Sequence, residues 1–424
     1  MRIKSIEITN FRGLIAERIE FTDAMTVLVG PNGGGKSSVL EAISIMLSWL
    51  PVGLSNKGAR SMKIRPRDVT VGKPFSCLKM ILGRRHSDDI ILALVRGKPP
   101  ADCGALTDMS GAKKYGDDMR VLLDAAKGCN VEIPLFAYYG ADRTSSGYSA
   151  PRPCYGCDRT SVYARAFDAG TDFRKFSRWF VDAIKDRARG IEEASLLPLK
   201  AANRLRDSVN RKYSAVYTVK RALAEFSEIF AGFEVRGGEL FLSSKNIYAD
   251  SLSAGEKTVV ALIADIAMRM AVANPNKKNP LDTSAIVLID ELDLHLHPDW
   301  QTAVAEKLPR IFTNAQFIIS SHSPSIMAVS KSLYRLAQGE SGGRFEEVES
   351  PFGRNPSDLL ASVLHGAREP ATARKFAAMY AALDRGDAEA ASKIIDELNS
   401  QIPDDPEVAR AEYLVRALHP KSSR

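Results

Sequence analysis

Apolar and polar residues alternate from Ile3 to Thr9 and again up to Phe21, on either side of Asn10-Phe11-Arg12-Gly13-Leu14. This predicts two strands joined as a hairpin-like pair. Met25-Thr26-Val27-Leu28-Val29 is a short apolar run of strand type, and Ser38 to Leu50 has helical spacing that ends near Pro51. Lys63 to Val69 opens a section expected to be rich in strands, with Cys77–Leu82 and Ile90–Val95 as its clearest members and Leu135–Gly140 beyond them. Residues 144 to 160 are rich in Ser, Pro, Gly and Cys and read as a loop. From Phe173 to Ile229 the period becomes helical, with Phe176, Trp179, Phe180, Ala183 and Ile184 on one face. Strand patterns return at Phe233–Val235, Glu239–Leu242, Ile286–Ile289 and Phe317–Ile319, with a long apolar helix at Thr258–Val272 between them. The segment Ala371–Leu418 is helical, interrupted at Arg385-Gly386-Asp387 and Ile402-Pro403-Asp404-Asp405-Pro406. The expected organisation is residues 1–143 and 233–345 as two parts of one core, 144–232 as a loop and helical insertion, and 346–424 as a helical tail.

Charge sharpens the picture of the insertion. The chain of 424 residues carries a net charge of +7, and Arg159 to Arg221 alone holds fifteen Lys or Arg against seven Asp or Glu. A basic stretch of this kind can follow a nucleic-acid backbone, or can simply be a solvated helical face. No apolar run approaches the roughly 20 residues needed to span a bilayer, and no leader pattern opens the chain, so a cytoplasmic protein without membrane contact is expected. Five cysteines fit a reducing compartment. Cys154-Tyr155-Gly156-Cys157 has C-x-x-C spacing but no second pair near it, so a loop is favoured over a zinc site.

The chemistry begins at Gly30-Pro31-Asn32-Gly33-Gly34-Gly35-Lys36-Ser37, which fits G-x-x-x-x-G-K-[ST] and lies between an expected strand and an expected helix. Glycines there let successive backbone N–H groups turn inward around phosphates, and the helix start adds its positive end. Asn32, Gly33, Gly34, Gly35 and Ser38 would cradle a nucleoside triphosphate, Lys36 would neutralise its β- and γ-phosphates, and the Ser37 hydroxyl would ligate Mg2+. ATP and Mg2+ are therefore the expected cofactors.

A phosphate loop of this kind needs a carboxylate at a neighbouring strand end. Ile286-Val287-Leu288-Ile289-Asp290-Glu291 supplies two, with Asp290 suited to the magnesium shell and Glu291 to general-base activation of water. His322, just past the strand Phe317-Ile318-Ile319, would sense the γ-phosphate. Leu252-Ser253-Ala254-Gly255-Glu256 opens the long apolar helix and forms a second anion site, with Ser253 at the helix start. One nucleotide does not need two such sites from one chain. A head-to-tail pair, each copy presenting Ser253 to the nucleotide of the other, uses both.

Taken together, these motifs resemble the ABC-type ATPase superfamily, on the SMC- and RecF-like branch. The resemblance implies an α/β fold: an ABC-type P-loop ATPase core of mixed sheet plus antiparallel β portion, with the basic helical insertion and helical C-terminal tail added. It makes Leu252 to Glu256 the signature, with Ser253, Gly255 and Glu256 on the nucleotide, Leu292-Asp293 the D-loop, and His322 the switch histidine. It also brings Arg12 of Asn10-Phe11-Arg12-Gly13 towards the nucleotide. The family's Q-loop glutamine is missing, since no glutamine precedes Gln301. Asp68 is the expected substitute as a metal contact.

Softer motifs, Tyr138-Tyr139-Gly140-Ala141-Asp142-Arg143, Leu294-His295-Leu296-His297-Pro298 and Phe352 to Leu360, are similar to those of bacterial AAA_21-type ATPases. That family includes ATPases of Septu-like and retron anti-phage systems that work with an HNH nuclease. The implied function is an ATPase switch that forms a homodimer or higher even oligomer, controls an HNH-type partner nuclease and meets nucleic acid through the basic insertion. A DNA-repair or recombination ATPase, a transporter ATPase subunit and a protein that binds ATP without appreciable turnover remain alternatives.

Overall fold

The computed structural model describes the chain except residues 55–60, 86, 101–105, 126–130, 142–158, 169, 340–341, 349–350, 355–358, 360–369, 403–405 and 419–424. The C-x-x-C pair and Arg143 lie outside the described residues. The chain divides into two compact units, Met1–Leu359 and Leu360–Arg424.

In the first unit, strands β1 (Arg2–Phe11), β2 (Leu14–Glu20), β4 (Phe75–Arg84) and β5 (Ser87–Gly97) form an antiparallel sheet in the order β2-β1-β4-β5. Strand β3 (Met25–Val29) does not join it. It lies in a six-stranded mixed sheet, β13-β12-β3-β11-β10-β6, with β6 at Leu135–Tyr139, β10 at Ala285–Ile289, β11 at Ala315–Ser320, β12 at Leu333–Gly339 and β13 at Gly342–Glu347. From β12 through β6 the strands run parallel, and only β13 is antiparallel to its neighbour. Strands β3, β6, β10 and β11 are buried along their whole length, as parallel strands covered on both faces must be.

Helix α1 (Lys36–Leu47) follows β3 and packs against both sheets. Its buried residues, Val39, Leu40, Ala42, Ile43, Ile45, Met46 and Leu47 among them, go around the helix rather than along one stripe, which marks a helix enclosed on all sides. They join Ile6, Ile8 and Phe11 of one sheet and Phe136, Ile286 and Ile318 of the other in one core.

The insertion is an antiparallel pair, α3 (Phe173–Ser195) and α4 (Leu199–Phe226), preceded in the chain by α2 (Ser110–Ala125). Phe176 and Phe180 are buried as the helical period required, while Trp179, Ala183 and Ile184 are half-buried. Arg174, Arg178, Lys185, Arg189, Lys200, Arg204 and Arg206 are exposed along the pair, interspersed with Asp182, Asp186 and Asp207. A three-stranded sheet of β7 (Phe233–Arg236), β8 (Glu239–Leu242) and β9 (Ile247–Tyr248) leads into α5 (Ala254–Ala273), which packs on α4. Helices α6 (Pro298–Ile311) and α7 (Pro324–Val329) flank β11. The second unit holds α8 (Pro370–Asp384), α9 (Ala388–Gln401) and α10 (Pro406–Leu418) around Phe376, Met379, Ile395, Leu398, Val408 and Ala411. No helix among the described residues is long and apolar enough to cross a membrane.

Lys63–Val69 leads into β4 and β5 through a 3-10 turn at Pro66–Asp68, where Pro66 offers no N–H and the Asp68 carboxylate accepts the Arg65 N–H at 3.0 Å. Helix α2, absent from the sequence reading, buries Ala112, Tyr115, Gly116 and Met119, and a Cβ on Gly116 would stand 2.6 Å from the Gly53 Cα.

Gln316 joins the sheets. Its buried amide accepts the Ile3 N–H at 2.7 Å and donates to the Ile3 and Thr22 carbonyls at 2.9 Å each. Gln316→Leu strands these backbone groups, each worth about 1–3 kcal/mol when buried unpaired. Chemical denaturation should therefore show a loss of roughly 3 kcal/mol. A midpoint equal to that of the wild type would mean that the sheets do not rely on this clasp.

Candidate nucleotide site

The register of β3, β11 and β10 sets Ile289 beside Ile319, Ile319 beside Val27 and Ser320 beside Leu28. The strands therefore end level, and the loops that follow them emerge at one edge of the sheet, where parallel α/β proteins place ligands.

After β3 comes the phosphate loop. Gly35 has φ of +108°, a backbone geometry that favours glycine, and a Cβ there would press on Leu14 Cδ2 at 2.9 Å. Gly35 also caps α1 with no side-chain acceptor, and no acidic residue occupies the first turn. The positive end of α1 is thus left for an anion. Lys36 is buried, and its Nζ donates to the Gly30 and Pro31 carbonyls at 2.9 Å each. Burial pulls the Lys36 pKa below its ordinary value, against the opposing charges of Asp290, Glu291 and Asp293.

After β10 comes Asp290, almost fully buried, whose Oδ1 accepts the Ser320 hydroxyl. The same Ser320 Oγ accepts the Glu291 N–H at 2.8 Å. Glu291 has φ of +47°, so the chain turns sharply there and crosses the end of β11, with the Leu292 N–H on the Ser320 carbonyl at 3.0 Å. A non-glycine residue in that region costs energy and needs surrounding contacts to hold it.

After β11 comes His322. Its backbone N–H reaches the Asp293 carboxylate at 3.2 and 3.4 Å, and its Nε2 is buried with no hydrogen-bond partner among the described residues. Burial first and the Lys36 ammonium second lower its pKa, against Asp293, Glu291 and Asp290, which favours the neutral ring. Lys36 and His322 thus both feel the charges of Asp290 and Glu291. A pre-formed anion cradle, a buried carboxylate and an orphaned ring nitrogen in one place fit a nucleoside triphosphate with a magnesium ion.

Elsewhere lies the signature. Ser253 is the exposed N-cap of α5, where its Oγ accepts the Glu256 N–H at 3.3 Å. A Cβ on Gly255 would come within 2.7 Å of the His295 carbonyl, so this helix start sits against the turn that follows Glu291.

The remaining expected residues have other partners. Arg12, at φ +54°, donates NH1 to Glu41 Oε1 at 2.9 Å, NH2 to Glu41 Oε2, and Nε to Asp68 Oδ1 at 3.2 Å. The Asp68 side chain is 2% exposed and accepts two further bonds from Arg65, at 2.8 and 3.1 Å. Burial pushes the Asp68 carboxyl up, and the Arg65 and Arg12 contacts more than reverse this, holding it below the usual range. Both oxygens are taken by arginines, so the metal contact expected of Asp68 gives way to a bracing role for the β1–β2 turn. Ser320, which bonds both Asp290 and the Glu291 N–H, was not singled out by the motifs; its signal was a hydroxyl ending an otherwise apolar strand.

Residues 165–328 match the AAA_21 family model, described as an AAA domain linked with AbiEii toxin and Type IV TA systems, and residues 1–81 match AAA_15, an AAA ATPase domain. The chain is an ATPase that resembles the AAA_21 type over residues 165–328. This ATPase is 27% identical to the Retron Ec83 probable ATPase of Escherichia coli over 87% of its own length and 77% of the relative's. It is 25% identical to the Retron Vc95 probable ATPase of Vibrio cholerae over 85% and 78%. It is also 24% identical to the Septu protein PtuA of Bacillus thuringiensis over 77% and 72%. A weaker likeness to the DNA replication and repair protein RecF of Clostridioides difficile, 30% identical, covers 20% of this chain and 24% of that protein.

Ser320→Ala removes a hydrogen bond to a buried carboxylate, worth about 1.5–3 kcal/mol, and the acceptor that holds the Glu291 turn, worth about 1 kcal/mol. Steady-state ATP hydrolysis, measured where the variant is still folded, should fall by roughly 10–100-fold, with a stability loss of about 2–4 kcal/mol. Hydrolysis at the wild-type rate would take Ser320 out of the site.

Proposed function

We propose that this ATPase is a switch in which two copies pair head to tail around ATP and hydrolysis separates them. The observation that carries the reading is the division of the motifs. Lys36, Asp290, Glu291 and His322 converge at one strand edge, whereas Ser253 is an exposed helix start whose contacts run to Glu256. An exposed serine at a helix start suits an anion brought by another molecule, and the anion that the chain itself binds is the triphosphate of a second copy.

Bound ATP would supply the phosphoanhydride, and Mg2+ would neutralise charge on its phosphates. The N–H groups from Asn32 to Ser38 would hold the phosphates, and Lys36 Nζ would exchange the Gly30 and Pro31 carbonyls for β- and γ-oxygens. Ser37 Oγ and Asp290 would hold the metal. The Glu291 carboxylate would accept a proton from water, and His322, neutral for the reasons above, would present its orphaned Nε2 to the terminal phosphate. Arg12 would approach the nucleotide only by leaving Glu41.

The retron and Septu relatives support a setting in anti-phage defence with an HNH-type partner nuclease released or restrained by the ATP state. The exposed cations of α3 and α4 would meet nucleic-acid phosphates.

Glu291→Gln tests the cycle. Removing the base should lower turnover by ~100-fold or more. Light scattering in ATP should then find twice the protomer mass, with nucleotide retained through gel filtration. A protomer mass and nucleotide content unchanged from the wild type would contradict the switch. Co-purification with a nuclease encoded by the adjacent gene would support the defence setting.

A further inference from the structure

The signature helix start is held by a residue outside the signature. Ser253 and Glu256 form a reciprocal capping box on α5. Glu256 Oε2 accepts the Ser253 N–H and the Ser253 hydroxyl, each at 2.9 Å. The other carboxylate oxygen, Oε1, is paired with Lys245 Nζ, and the Glu256 side chain is only 11% exposed.

Lys245 is presented from a fixed turn between β8 and β9. The Asn246 N–H bonds the Ser243 carbonyl at 3.2 Å, with Asn246 at φ +54°. The Ser243 hydroxyl donates to the Gly232 carbonyl at 2.9 Å and the Ser244 hydroxyl to the Ile229 carbonyl, which ties the turn to the segment that follows α4.

This arrangement bears on an anion arriving at Ser253. A bare carboxylate hydrogen-bonded to that serine would repel a terminal phosphate, and the repulsion would grow as pairing excluded water. The ammonium of Lys245 cancels this charge and draws on the carboxylate, which makes Glu256 a weaker competitor for the one Ser253 hydroxyl hydrogen when that hydroxyl turns from Oε2 to the phosphate. We propose that Lys245 is a positioning residue for the shared nucleotide site, holding Glu256 so that Ser253 can receive the terminal phosphate of a nucleoside triphosphate. The inference rests on the head-to-tail pairing proposed above.

The test uses the full chain with Glu291→Gln, and reads the protein concentration at half-pairing in ATP by light scattering. Lys245→Met should raise it about tenfold, the scale of one partly exposed charge-assisted contact. Lys245→Arg should restore it to within about twofold, since the charge is kept although the geometry differs. Adding Glu256→Gln to Lys245→Met should also restore pairing, because a neutral amide still caps the helix and leaves no charge to cancel. A merely structural role for Lys245 would not be rescued in this way, so absence of that rescue overturns the inference. Ser253→Arg separates the two levels of the argument. If it abolishes pairing while Lys245→Met leaves pairing unchanged, the Lys245 inference fails and the shared site stands. If pairing survives both substitutions, the shared site itself fails.

Discussion

Everything at the nucleotide edge depends on the parallel register of β3, β11 and β10. These strands are buried on both faces, so a shift of one residue would move every side chain into the opposite half of the core; the packing there fixes the strands against each other, and their loops must emerge together. Ser320 converts that register into chemistry. Its one hydroxyl oxygen donates to Asp290 and accepts from the Glu291 N–H, so the strand end itself sets both carboxylate-bearing residues. The strained turn at Glu291 is held by this hydrogen bond and by the Leu292 N–H on the Ser320 carbonyl.

The antiparallel sheet has a direct part in the same site. Leu14, at the β1–β2 turn, packs against Gly35, and Leu336 of β12 occupies the space over Gly30 and Gly34. The phosphate loop is thus shaped from both sides by apolar side chains, and its glycines answer to packing as well as to phosphate approach. Arg12, held by Glu41 of α1 and by Asp68, braces the turn that carries Leu14. Helix α1, enclosed between the sheets, ties these parts to the core.

The parts legible in the sequence were those whose physics is local. The phosphate loop, the apolar strand ending in Asp290-Glu291 and the helix start at Ser253 each combine a short spacing with an obligatory element type. Helix α2 escaped because its contact with Gly53 uses a glycine, which carries no apolar signal and argues against a helix. Strands β12 and β13 escaped because Arg335, Glu346 and Glu347 interrupt their apolar pattern. The place of Asp68 could not be read because Arg12, which meets it from 56 residues away, is brought there by the fold, although Arg65 stands only three positions before it. Lys245 was hidden for the same reason: it meets Glu256 across a turn anchored to the end of the insertion, and no motif spans that distance.

The central claim is that each nucleotide site is built from two copies of the chain, and mixing variants tests it most directly. Lys36→Ala and Ser253→Arg should each abolish hydrolysis alone. A mixed pair, however, retains one site with Lys36 from one copy and Ser253 from the other. Equal mixtures should therefore regain roughly one quarter of wild-type ATP hydrolysis, given random pairing and independent sites. A mixture no more active than the sum of its separate variants would contradict a shared site.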